Sequence, residues 1–225
     1  MRTLAYIKYF WYLAYNWNIS IALHVIRNEI KGEKKYGIRT TGADELKSLE
    51  KKGIDIEHAT IYMPVSYDLL EEVMEAVLKL PVKPGKHFLD IGCGKGRALC
   101  VAAHYGFTAL TGIDFSAALA NAAVTNLEIT KQKNPSIHYE VFNNDAFYFE
   151  IPDDVSCIFL FNPFDEVIMS GVVYNILESI KRNYRTITVI YVNALHKESF
   201  TIAGFSEVYH KKIMRYLEVS VMQNQ

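Results

Sequence analysis

The sequence predicts a single α/β domain, a mostly parallel sheet with helices on both faces, preceded by a helical arm. Three observations predict it. From His87 onward, short β-branched or aromatic runs alternate with helical stretches, as strand–helix–strand units do. The chain has 225 residues, 50% of them apolar, enough for one sizeable core. The stretch FLDIGCGKGRAL, Phe88 to Leu99, puts glycines where a strand passes into a helix and where backbone can approach a ligand closely.

The first 37 residues, MRTLAYIKYFWYLAYNWNISIALHVIRNEIKGEKKYG, are crowded with aromatics and end in a basic cluster. Met1 to Thr40 holds seven basic residues (Arg2, Lys8, Arg27, Lys31, Lys34, Lys35, Arg39) against Glu29 and Glu33, so this arm is net +5 while the chain is −1. Its longest unbroken apolar run is Tyr9 to Tyr15, whereas a spanning helix needs about 20 predominantly apolar residues. An aliphatic core followed by a small-residue cleavage site, the mark of a secretory signal, is missing too. Such an arm can lie on a membrane surface or cover a substrate. The composition favours the plainer alternative, two helices packed on the core with aromatics inward and lysines outward.

Thr40 to His58 is polar and turn-like, a connector leading to Tyr62-Met63-Pro64. The chain thus divides into an arm and connector, 1–62, and a ligand-binding domain, 63–225. Ser66 can cap a helix through about Leu80, with Leu69, Leu70, Val73, Met74, Val77 and Leu78 on one stripe and Pro81 and Pro84-Gly85 ending it. Then follow strand 87–91, helix 96–105, strand 108–114, helix 116–132, strand 137–142, strand 155–161, helix 166–182 and strand 186–192. A short helix and strands near 206–212 and 215–221 close the chain. In such folds the ligand lies over the carboxyl ends of the strands.

Lysine and arginine total 24 against 25 aspartates and glutamates, which gives no global reason to expect nucleic acid as partner. Cys93, Cys100 and Cys157 lack metal-ligand spacing and sit in apolar or glycine-rich stretches, so they read as interior thiols of a cytoplasmic protein. The seven histidines form no spaced ligand set, and no metal site is expected.

Two ligand classes compete for the glycine turn. A dinucleotide fingerprint, G-x-G-x-x-G, brings a pyrophosphate onto a helix N-terminus. Here Gly92, Gly94 and Gly96 spell G-x-G-x-G, and Arg97 stands where the last glycine should be. Asp90, two residues before the first glycine, favours a cation or amine and disfavours two phosphates. S-adenosylmethionine offers a sulfonium, an ammonium and no phosphate. Asp114, twenty residues past Gly94, can accept both hydroxyls of a ribose, and Phe115 can stack on adenine. Asp145 can accept from the adenine amino group while the Ala146 N–H serves a ring nitrogen. Each acid has a structural alternative, a cap for Asp114 and a turn for Asp145. Their order at three successive strand ends is what points to one ligand.

From Phe88 onward the chain resembles class I S-adenosylmethionine-dependent methyltransferases: D-x-G-x-G-x-G in FLDIGCGKG, which includes Cys93, the ribose acid in TGIDFS, and the adenine segment in NNDAF. More closely it is similar to a bacterial group that shares an aromatic arm, Lys35-Tyr36-Gly37, Tyr62-Met63-Pro64 and Phe161-Asn162-Pro163-Phe164. The resemblance implies a Rossmann-like three-layer sandwich, a seven-stranded sheet whose last strand is antiparallel. It also implies a methyl acceptor held at FNPF, where relatives that methylate planar amines use a (D/N)-P-P-(Y/F) loop. This chain has one proline there, so Asn162 as hydrogen-bond acceptor and Phe164 as stacking ring suggest a nitrogen without fixing it. Asn-Pro can also simply end the strand. Tyr62 and Ser66 can reach the methionine end of the donor, and Tyr62 can equally be a core aromatic.

The acceptor, a small molecule or a protein amine, is not named by these residues, nor is the oligomeric state. Two rivals stand beside the methyltransferase: an aminopropyl transferase, whose acidic site is not found after the fourth strand, and a binding protein, donor-binding or membrane-associated, without turnover.

Overall fold

The computed structural model describes residues 2–42, 63–161, 164–213 and 217–224. The arm is two helices, α1 (Arg2–Asn16) and α2 (Ile19–Tyr36). Asn18 starts α2 by accepting a hydrogen bond from the Ile21 N–H, and Gly37 closes it in the left-handed conformation, φ 78°. The helix α3 (Tyr67–Val77) follows, capped by Ser66, which accepts from the Leu69 N–H.

The domain then alternates: β1 (His87–Ile91), α4 (Arg97–His104), β2 (Ala109–Asp114), α5 (Ala117–Lys133), β3 (His138–Asn143), β4 (Val155–Phe161), α6 (Glu166–Arg182), β5 (Thr188–Val192), α7 (Lys197–Ile202), β6 (Phe205–Ile213) and β7 (Leu217–Asn224). These seven strands lie in the order β3-β2-β1-β4-β5-β7-β6. β1 to β5 are mutually parallel, and β7 runs antiparallel to both β5 and β6. This is the Rossmann-like sheet with a reversed last strand that the sequence predicts.

Alternation along the strands divides the core between two faces. Phe88, Phe159 and Ile190 point to the face covered by α3, α4 and α5. Leu89, Leu160 and Val189 point to the face covered by α6 and α7. Every residue of β5 is buried, as expected of an inner strand covered on both sides.

Several boundaries differ from expectation, among them the last strand, Leu217–Asn224 rather than 215–221, the end of α3 and the start of β5. α3 ends at Val77 rather than near Leu80, because the chain tightens: Lys79 and Leu80 donate to carbonyls three residues back. Pro81 excludes helical backbone at the residue before it. β5 begins at Thr188 rather than 186, since the Ile187 N–H is taken by the Asn224 side chain at 2.6 Å.

The arm packs on the domain through α2, which buries Asn28, Glu29, Gly32, Glu33 and Tyr36. A Cβ on Gly32 would stand 2.1 Å from the Tyr67 ring, so only glycine lets α2 lie this close to α3. Tyr36 stacks on the same ring, centroids 5.6 Å apart. The aromatics of the arm do not all turn inward as the plainer alternative required. Tyr9 and Leu13 are buried, while Trp11 and Tyr15 are exposed. Among the described residues no helix is long and apolar enough to cross a membrane.

Candidate active site

The turn after β1 is built from backbone that side chains would obstruct. Gly92, Gly94 and Gly96 have φ of 79°, 54° and 76°, all in the region that favours glycine. The Gly92 and Cys93 N–H groups both donate to the Ile113 carbonyl, at 2.9 and 2.8 Å, fastening the turn to β2. Asp114 completes the fastening: its carboxylate accepts from the Gly94 N–H at 2.8 Å and from the Ser116 N–H at 2.9 Å. Ser116, not Asp114, caps α5 by accepting from Leu119. The Asp114 carboxylate therefore orders the turn and keeps lone pairs for a ligand hydroxyl.

Asp90 is different. It is 3% exposed, and among the described residues its carboxylate has no hydrogen-bond donor. Burial, and then the neighbouring Asp114, push its pKa well above the ordinary carboxylate range. Asp114 is raised as well, by burial, though the two backbone donors oppose the shift. A buried, undonated carboxylate favours a cation beside it. Cys93 is buried next to this pair, and burial, reinforced by Asp90 and Asp114, keeps it a thiol.

At the third strand end the structure shows the turn role of NNDAF. Asp145 is exposed, and its carboxylate accepts from the Phe147 N–H at 2.9 Å. Ala146 is buried and Phe115 half-buried. The Asn143 amide donates to the carbonyls of Asp114, at 3.1 Å, and Phe115, at 2.7 Å, drawing the ends of β2 and β3 together. The three segments thus lie at the ends of the neighbouring strands β1, β2 and β3.

The other candidates divide. Tyr62 and Asn162 lie outside the described residues. Ser66 caps α3 and also faces a cavity of about 500 Å³ over the carboxyl ends of β4 and β5. Phe164 packs instead against the core on the α6 face, while Phe161 lines the cavity.

Sequence reasoning missed this cavity. One wall is the arm, with Tyr9, Leu13, Trp17, Ile21 and Val25, and the other includes Met63, Leu69, Phe161 and Leu217. Its charged lining residues are Glu29, Asp68 and Glu72, without lysine or arginine among the described residues. The Oδ1 of Asn28 is buried without a hydrogen-bond partner, while its amide donates to Asp68. Asn193, after β5, holds φ at 49°, a strained backbone for a non-glycine residue. It is pinned by two hydrogen bonds with Glu218. Its position directly after a strand, in YVNALH, was the only signal in the sequence.

Arg97 joins the two halves of the site. Its guanidinium donates to both Glu29 oxygens, to the Val65 carbonyl and to Thr40, and lies 4.1 Å from the Tyr67 ring centroid. Burial holds the Tyr67 phenol neutral, its pKa pushed up to about 12. Beside it, burial pushes Glu33 upward, but hydrogen bonds from Tyr6, Thr40 and Thr41 outweigh it and leave the carboxyl below its ordinary range.

Fold and turn together define a Rossmann-like α/β domain with a glycine turn after its first strand. More particularly, residues 88–186 match the family described as "Methyltransferase domain". No protein of curated function matches the chain in sequence. Among solved structures it is similar to a protein of Pyrococcus horikoshii OT3, at 16% identity and TM-score 0.51, over 70% of this chain and 90% of that one. It is also similar to an S-adenosylmethionine-dependent methyltransferase of Leishmania major (10%, 0.53, 68% and 70%). A third is the magnesium protoporphyrin IX methyltransferase of Synechocystis PCC 6803, solved with S-adenosylmethionine (13%, 0.50, 70% and 79%). At these identities the likeness is one of fold.

The residues present fit S-adenosylmethionine as cofactor. Asp90 would place a buried carboxylate beside an ammonium or sulfonium, and Asp114 would offer acceptors to the ribose. Among the described residues no cluster of three His, Cys, Asp or Glu could hold a metal ion.

Proposed function

We propose that this chain transfers a methyl group from S-adenosylmethionine to a largely apolar small molecule, neutral or cationic, through a nitrogen. The observation that carries the proposal is adjacency: a donor turn after β1, and an apolar cavity over the next strands in the sheet, β4 and β5. The cavity's size suits a small-molecule acceptor. Glu29 is paired with Arg97 and Glu72 with Lys211, which leaves Asp68 as the lining carboxylate without a cationic partner among the described residues, and Asn28 offers a buried acceptor atom to a hydrogen-bond donor.

S-adenosylmethionine, when bound, supplies an electrophilic methyl whose bond to sulfur breaks as the bond to the acceptor's lone pair forms. The chain's own work is positioning, which can dominate such a displacement. In this reading Asn162 accepts a hydrogen bond from the target N–H and aims its lone pair, and Tyr62 and Ser66 close the methionine end. The arm, over the cavity, excludes water.

Calorimetry with S-adenosylmethionine, S-adenosylhomocysteine and a nicotinamide dinucleotide tests the donor half. The first two bind and the third does not. Asp114→Ala weakens both by about tenfold or more, since a hydrogen bond to a charged group is worth roughly 1.5–3 kcal/mol. Mass spectrometry of a small-molecule extract incubated with the protein and labelled methyl donor tests the acceptor half. Label arriving only on acids, or only on protein, refutes the acceptor assignment.

A further inference from the structure

We propose that the outer face of the arm docks on an anionic lipid bilayer, lying in its interface without crossing it. The inference does not depend on the methyltransferase reading.

Each arm helix carries an exposed apolar stripe at helical spacing. On α1 it is Leu4, Ile7, Trp11 and Tyr15, with Trp11 65% and Tyr15 91% exposed. On α2 it is Ile19, Leu23 and Ile30. These side chains do not serve the cavity, whose wall uses the opposite residues, Tyr9, Leu13, Ile21 and Val25. Helices apolar on two sides have one side too many for a protein whose only partner is its own core.

Charge chooses the occupant. Glu29 and Glu33, the only acids of the arm, are buried and consumed, by Arg97 and by Tyr6, Thr40 and Thr41. Lys8, Arg27, Lys31 and Lys34 are exposed, so the outward charge of the described arm is wholly positive in a chain of net charge −1. A second copy would present the same positive face and be repelled. Nucleic acid would meet the lysines but has no use for isoleucine and leucine stripes. An anionic bilayer meets both, with tryptophan and tyrosine rings at the headgroup level.

The test is flotation of the full chain with vesicles of phosphatidylcholine alone or mixed equally with phosphatidylglycerol. Partition onto the anionic vesicles is expected, weakening with salt and by about fivefold for each of Lys31→Gln and Lys34→Gln. The chain's two tryptophans, Trp11 and Trp17, both lie in the arm. In a Trp17→Phe background the emission of Trp11 should shift to the blue on anionic vesicles, and Trp11→Ser should lose most of the partition. Retained S-adenosylmethionine binding, or an unchanged circular dichroism spectrum, shows that the variants fold. The proposal is overturned by no partition at low salt, by partition that these variants leave unchanged, or by a solution dimer that Trp11→Ser dissociates.

Discussion

Arg97 grips Glu29 with two N–H donors, at 2.7 and 2.5 Å, across 68 residues of chain. Each is no more than 3% exposed. Arg97 is the first residue of the helix leaving the donor turn, and Glu29 belongs to the cavity wall. One ion pair therefore ties the cavity wall to the helix that leaves the glycine turn.

Arg97→Met strands the Glu29 charge in the interior, and a denaturant melt should show a loss of roughly 3–5 kcal/mol. Adding Glu29→Leu should recover most of it, because the stranded charge is gone. A double variant as unstable as the single one would show that the arm is held by other contacts.

Asp90 should trade stability for affinity. Its folded pKa is raised by burial and by Asp114, so the folded state holds its proton more tightly than the unfolded chain. This contribution is complete below the unfolded value of about 3.9 and is lost as pH rises through the folded pKa. Asp90→Asn, always neutral, should melt higher than the parent near neutral pH and lack that slope. A cationic donor needs the ionised form, so parental affinity should rise with pH up to the folded pKa, with protons released on binding. Calorimetry in buffers of different ionisation enthalpy reads both effects. Parental affinity retained by Asp90→Asn would remove this residue from donor binding.

Phe161 and Phe164 should separate by function. Phe161→Ala opens the cavity wall and should raise the acceptor's Michaelis constant severalfold while donor affinity holds. Phe164→Ala removes packing from the α6 face and should lower the melting temperature with activity per folded molecule unchanged. The reverse pattern would return the acceptor to Phe164.

The strands and helices of the domain were legible because each is written locally, in alternation, caps and prolines. The turn of three glycines, with Asp90 and Asp114 beside it, was legible for the same reason, since each lies in a short segment at a strand end. Arg97 was visible only as a residue that was not glycine. Its partner is 68 positions away, and no periodicity records such a pairing. The cavity escaped for the same reason. Tyr9 and Trp11 are chemically alike in the sequence, and only the packing of α1 on α2 decides which faces the cavity wall and which faces out.

The position of β7 bears on how the protein is made as well as on what it does. β6 touches the sheet only through β7, so β6 cannot join the sheet before β7 docks on β5. Until β7 docks, β5 presents Val189, Ile190 and Tyr191 along a bare edge with unpaired amides, a template for pairing with another chain. Once docked, the outer edge carries Glu207, His210, Lys211 and Lys212, charges that discourage such pairing. Anything that slows the docking of β7 should therefore cost yield through aggregation before it costs activity.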